Sequence, residues 1–185
     1  MGLVLASASP RRKELLKTLT PDFRIVVSES SETDEGRNPR ATVTLRAIDK
    51  ARDVSAKCPD DVVIGCDTMV VLDNKVYGKP KDEEDARRIL RELSGKWHEV
   101  YTGVAFLGEK VQYYFGTVIS RVKIRDLTDE KIDEYIQKFS PLDKAGAYAI
   151  QDDFPIVETY EGSYTNIVGF PTEKIEELLQ KEGIL

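Results

Sequence analysis

The sequence predicts an α/β fold, and three observations lead there. Apolar runs of strand length alternate with stretches whose apolar residues keep a helical period. The helical stretches open on recognisable caps, and strands and helices follow one another in mixed order. At 185 residues the chain can bury one sizeable core, and it shows no repeat, low-complexity stretch or linker. Residues 1–185 therefore read as one continuous domain.

Taken in order, residues 2–7 form a short apolar run that suits a buried strand. Ser9-Pro10 then caps and opens a helix to about Leu19, because proline fits the first helical turn and serine accepts from its free N–H groups. Residues 23–27 are a second strand, followed by the acidic loop SESSETDEGRN. Asn38-Pro39 opens a long helix whose Val43, Ala47, Ile48, Ala51 and Val54 lie on one face and which stops before Pro59. The stretch VVIGCDTMVVL reads as two apolar runs interrupted by residues 65–68, with a DNK turn leading to Val76 and Tyr77. Asp82 with Asp85 starts a helix that ends near Gly95. Residues 100–107 and 111–122 suggest a hairpin around GEK, and Thr128 caps a helix carrying Ile132, Tyr135, Ile136 and Phe139. After a Gly- and Ala-rich loop, DKAGAYAIQDD, the chain predicts a short strand near Ile156 and a final helix from about Thr172.

Charge narrows the function. The 27 Lys and Arg against 33 Asp and Glu give a net charge of −6, with no basic stripe. Nucleic-acid and membrane binders need such a stripe, so neither partner is expected. Any anionic ligand is expected to be small and held locally, at a site such as the Arg11-Arg12-Lys13 cluster. Two cysteines without metal or disulfide spacing, and no apolar run of membrane length, suit a cytoplasmic protein.

Binding groups gather in loops and at strand ends. Ser7, Ser9, Arg11 and Arg12 surround a helix N-terminus, where backbone N–H groups and guanidinium forks suit phosphate. The same residues also suit an ordinary capped helix. Asp67-Thr68 lies between strongly apolar runs, so Asp67 must sit at a strand end, in a bulge or buried. A buried carboxylate is costly unless it is paired or bound to metal, which makes Asp67 a candidate base or metal ligand. Glu32 in the acidic loop, Lys50 on the long helix, Lys79 in YGKPK and Gln151 in YAIQDD each read alone as ordinary polar residues too. His98 beside Trp97 has no legible triad and reads as structural. Together, cations, carboxylates, hydroxyls and one amide suit phosphoryl chemistry on a nucleotide, with a divalent metal carried by carboxylates.

At these residues the chain resembles a known family. LASASPRRKELL, the Glu32 loop, IDKA, GCDTMVV, GKP, HEVYTGVA, LDKAGAYAIQD and GSYTNIVGFP are similar, in order and over nearly the whole chain, to the Maf-like nucleoside triphosphate pyrophosphatases. The resemblance implies a mixed twisted sheet with flanking helices and two lobes around a deep cleft, as in the inosine triphosphate pyrophosphatases. It also implies hydrolysis between the α and β phosphates, with a divalent cation, Mg²⁺ or Mn²⁺, as cofactor. By motif, Asp67 matches the proton acceptor that activates water, Glu32 a catalytic or metal-linked carboxylate, and Lys50 and Lys79 the phosphate-facing lysines. Ser7, Ser9, Arg11 and Arg12 match the phosphate-binding turn, and Glu32 with Asp67 the metal ligands. Arg11, Thr68 and Gln151 occupy the positions tied to substrate choice and resemble the branch acting on dTTP and UTP, a reading extended to modified pyrimidine nucleotides. Members are often dimers, so a homodimer is expected. The alternative is a non-catalytic nucleotide-binding regulator of septum formation and cell division.

Overall fold

The structure, a computed structural model, describes residues 2–31 and 38–185. Seven strands form one mixed sheet: β1 (Leu3–Leu5), β2 (Arg24–Ile25), β3 (Val62–Leu72), β4 (Lys75–Tyr77), β5 (Trp97–Leu107), β6 (Tyr114–Ile124) and β7 (Val157–Glu161). They run in the order β2-β1-β3-β5-β6-β7, with β4 also paired to β3. The β2, β1 and β3 pairings are parallel and the remainder antiparallel. Among the described residues six helices flank the sheet: α1 (Pro10–Leu19), α2 (Pro39–Lys57), α3 (Glu83–Leu93), α4 (Asp129–Phe139), α5 (Tyr164–Val168) and α6 (Thr172–Lys181). Short 3₁₀ turns occupy Pro141–Asp143 and Ala145–Ala147.

The expected caps are in place. Ser9, Asn38, Asp82 and Thr128 each accept, through the side chain, a backbone N–H of the first turn they precede. Sequence reading erred in the middle of VVIGCDTMVVL, where β3 runs unbroken for 11 residues. Polar residues inside the run mark a change of neighbour, not a strand end. One side of β3 pairs with β5 from Val63 to Val71. The other side pairs with β1 over Val62–Ile64 and with β4 over Val70–Leu72. Between them, residues 65–69 have no strand neighbour on that side among the described residues. The sheet is split there, and the split is where the site lies.

Side chains alternate across the strands, so β3 feeds two cores. Val63 packs under α2 with Ala47, Ala51 and Val54, and Met69 and Val71 pack there with Val43. On the opposite face the packing divides at the split. Ile64, Cys66, Leu16 and Leu179 cluster with α1 and α6, whereas Val70, Leu72, Ile89, Leu90 and Tyr135 cluster with α3 and α4. The short α5 lies between, its buried Asn166 donating to Val100 O and Ser120 Oγ at 3.3 and 2.9 Å. No helix among the described residues is long and apolar enough to cross a membrane.

His98 belongs to this packing, with Nε2 2.7 Å from the Tyr148 hydroxyl. Burial lowers its pKa from 6.5 to about 4. The folded protein holds this imidazole neutral, while the unfolded chain takes up a proton as the pH falls below about 6.5. The group is therefore without effect on stability above that pH and increasingly destabilising down to about 4. Urea unfolding is expected to show a loss of about 2 kcal/mol between pH 7 and pH 5 from this group. His98→Gln removes that part of the slope; an unchanged slope would assign it to other groups.

Candidate active site

A cavity of about 660 Å³ opens at the split in the sheet. The carboxyl end of β1 supplies Ser7 and the start of α1, the free stretch of β3 supplies Asp67 and Thr68, and the turn after β4 supplies Lys79. Gln151 lines the wall that follows the second 3₁₀ turn. The carboxyl end of a parallel strand is where open α/β sheets place their ligands.

Asp67 points to the face covered by α2. It is 6% exposed, and its Oδ1 accepts from Lys50 Nζ at 2.6 Å. Oδ2 is buried without a hydrogen bond, 3.9 Å from Arg46 Nη1. Arg46 lies one helical turn before Lys50, so the two cations share a face of α2. Two glycines bring that helix close. A Cβ at Gly65 would lie 2.3 Å from Ala47 O, and one at Gly103, directly opposite Asp67 on β5, would lie 2.2 Å from Val43 O.

Thr68 points to the other face, and there Arg12 meets it. The Arg12 guanidinium donates to Thr68 Oγ1 (3.1 Å), Cys66 O (2.8 Å), Gly169 O (2.8 Å) and Ser7 Oγ (3.2 Å). It thereby fills the backbone acceptor that a missing strand leaves open and ties α1 to β3 and to the end of α5. Ser9 N donates to Ser7 Oγ at 3.2 Å, fixing the turn. Cys66, behind this group, has its thiol pushed up to about 11 by burial, so it is unreactive packing.

The remaining cations sit nearer the mouth. Lys79 is exposed on the cavity wall and makes no side-chain hydrogen bond or ion pair among the described residues. Its turn is held to the opposite wall, where Gly146 N donates to Gly78 O at 3.1 Å. Arg11 Nη1 donates to Asp143 Oδ2 at 3.1 Å, and Lys144 also pairs with Asp143. Of the sequence-predicted residues, Ser7, Ser9, Arg11, Arg12, Lys50, Asp67, Thr68, Lys79 and Gln151 all line this one cavity. Glu32 lies outside the described residues. Arg46, Asp143 and Lys144 also line the cavity and were not singled out from sequence, although the spacing of Arg46 and Lys50 was a readable signal.

The model of the Maf-like protein family matches residues 2–182. The chain belongs to the Maf-like family. Its relatives include a protein named dTTP/UTP pyrophosphatase from Koribacter versatilis (strain Ellin345), 46% identical over 187 residues, covering 100% of this chain and 96% of that protein. A second dTTP/UTP pyrophosphatase, from Clostridioides difficile (strain 630), is 44% identical and covers 98% of this chain and 95% of its own. Among solved structures, the Staphylococcus aureus Ham1 protein shares the fold: TM-score 0.58 at 15% identity, covering 97% of this chain and 98% of that one. The Maf-like chain and that protein thus share an architecture with little sequence in common.

Proposed function

We propose that this Maf-like protein hydrolyses dTTP and UTP, and modified pyrimidine nucleotides of the same shape, to the monophosphate and pyrophosphate. The observation that carries the reading is the buried Asp67–Lys50 pair at the free stretch of β3, in one cavity with the Arg11 turn and Lys79. The relatives' names point the same way.

The triphosphate tail is bound by the N–H groups and cations at the start of α1 together with Lys79. Arg12 holds the turn in shape through its four protein acceptors. Lys50 orients the Asp67 carboxylate through Oδ1, and Oδ2 accepts the proton of the attacking water. In this reading Thr68 and Gln151, which also line the cavity, lie beside the base and sugar, where an amide reads polar base edges.

The donor set fits a hard divalent ion. Asp67 supplies a hard carboxylate donor, and among the described residues no group of three or more His, Cys, Asp or Glu could hold a metal alone. Mg²⁺ or Mn²⁺ held by Asp67, and by Glu32 as the second carboxylate, would take its other ligands from phosphate and water. When bound, it supplies charge neutralisation on the phosphates. The reading places the protein in the cytoplasm as a homodimer, for which the exposed Tyr113, Phe115 and Ile119 supply apolar surface.

The test is a panel of nucleoside triphosphates with Mg²⁺ and Mn²⁺, scored for pyrophosphate against orthophosphate. Pyrophosphate release fastest with dTTP and UTP is expected. Nucleotide binding without release, or orthophosphate as product, contradicts the proposal.

A further inference from the structure

Asp143 stands apart in the cavity because it is a carboxylate among cations. It lies 132 residues from Arg11 in sequence, yet one oxygen accepts from Arg11 and the other from Lys144, each at 3.1 Å. The three side chains differ in exposure: Lys144 is 13% exposed, Arg11 30% and Asp143 63%. All three line the cavity. Asp143 is the one ion-pair partner of the little-exposed Lys144 among the described residues. The two cations come from different elements, α1 and the residue between the two 3₁₀ turns. Two oxygens of one anion bridging two cations is also how a phosphate group would be held.

We propose that Arg11 and Lys144 form a phosphate clamp across the cavity rim and that Asp143 occupies it in the free protein. Lys144 is then a binding residue for the outer phosphates, and Asp143 a built-in competitor that the incoming anion displaces. The carboxylate side of the pair is exposed and screened, so displacement is easy. Burial pushes the Asp143 pKa up, and the hydrogen bonds from Lys144 and Arg11 outweigh this, so it stays ionised and in place at neutral pH. The inference rests on the nucleotide reading above for the identity of the anion. Its test needs no turnover.

The probe is inorganic pyrophosphate, titrated calorimetrically into the full chain in metal-free buffer. Asp143→Asn keeps the shape and removes the competitor, and is expected to bind pyrophosphate about fivefold tighter than the unmodified protein. Lys144→Met keeps the stem and removes the charge, and is expected to bind about tenfold weaker. Glu14→Gln removes the same unit of charge from the outer part of α1, where Glu14 pairs with Lys17, and controls for net charge. It is expected to bind as the unmodified protein does. Equal or weaker binding by Asp143→Asn overturns the inference. So does unchanged binding by Lys144→Met, an equal gain from Glu14→Gln, or no binding by any form. If the variants behave as expected while no nucleotide is hydrolysed, the clamp stands and the hydrolytic reading fails. If dTTP is hydrolysed and Asp143→Asn gains nothing, the reverse holds.

Discussion

Asp67→Asn is expected to lower kcat/KM for dTTP by about a thousandfold, or about 4 kcal/mol of transition-state stabilisation. The size follows from the geometry. Asparagine keeps an oxygen for Lys50 but has no basic site where Oδ2 stands, so the proposed proton acceptor is lost. The variant also replaces the charge-assisted Lys50–Asp67 bond with a neutral one, which is expected to cost about 1 kcal/mol of stability. Steady-state rates and urea unfolding, measured on the same preparation, separate the two effects. A cooperatively folded variant that retains a tenth or more of the activity removes Asp67 from the chemistry.

The second large effect is on stability, from a residue that carries no chemistry. Gly103→Ala is expected to cost about 3 kcal/mol, the upper range for overpacking a close-packed contact. The added methyl would sit 2.2 Å from Val43 O, a backbone atom in the second turn of α2 that cannot step aside alone. The helix must move as a body, carrying Arg46 and Lys50 with it. Because ångström displacements of positioning groups cost catalysis heavily, kcat is expected to fall about a hundredfold as well. Gly78→Ala is the control: nothing lies within 4 Å of its added methyl, so stability should stay within about 0.5 kcal/mol. Equal stability of Gly103→Ala and the unmodified protein would contradict the close approach of α2 to β3 and β5.

Much of this is legible in the sequence. Caps and helical periods located α1, α2, α3 and α4, because both signals are local and strong. The five-residue α5 was missed, since Ser163 and Gly169 bracket too little chain to show a period. The hairpin strands were misplaced at their ends: β5 begins at Trp97 and β6 runs from Tyr114 to Ile124. Asp67 attracted notice for the right physical reason, a carboxylate inside an apolar run. Its place in mid-strand was illegible, because only the sheet topology shows that β3 exchanges β1 for β4 at that point. The same limit hid the engagement of Arg12 with Cys66 O and Gly169 O, and the pairing of Arg11 with Asp143. Those contacts join residues 54, 157 and 132 positions apart, which no local pattern encodes.

A crystal structure of the Asp67→Asn variant with dTTP and Mg²⁺ asks most directly whether one cavity unites these segments around a triphosphate. The α phosphate is expected beside residue 67, with the outer phosphates between the start of α1 and Lys79. A nucleotide seated elsewhere, or a tail touching neither the α1 turn nor Lys79, would contradict the account.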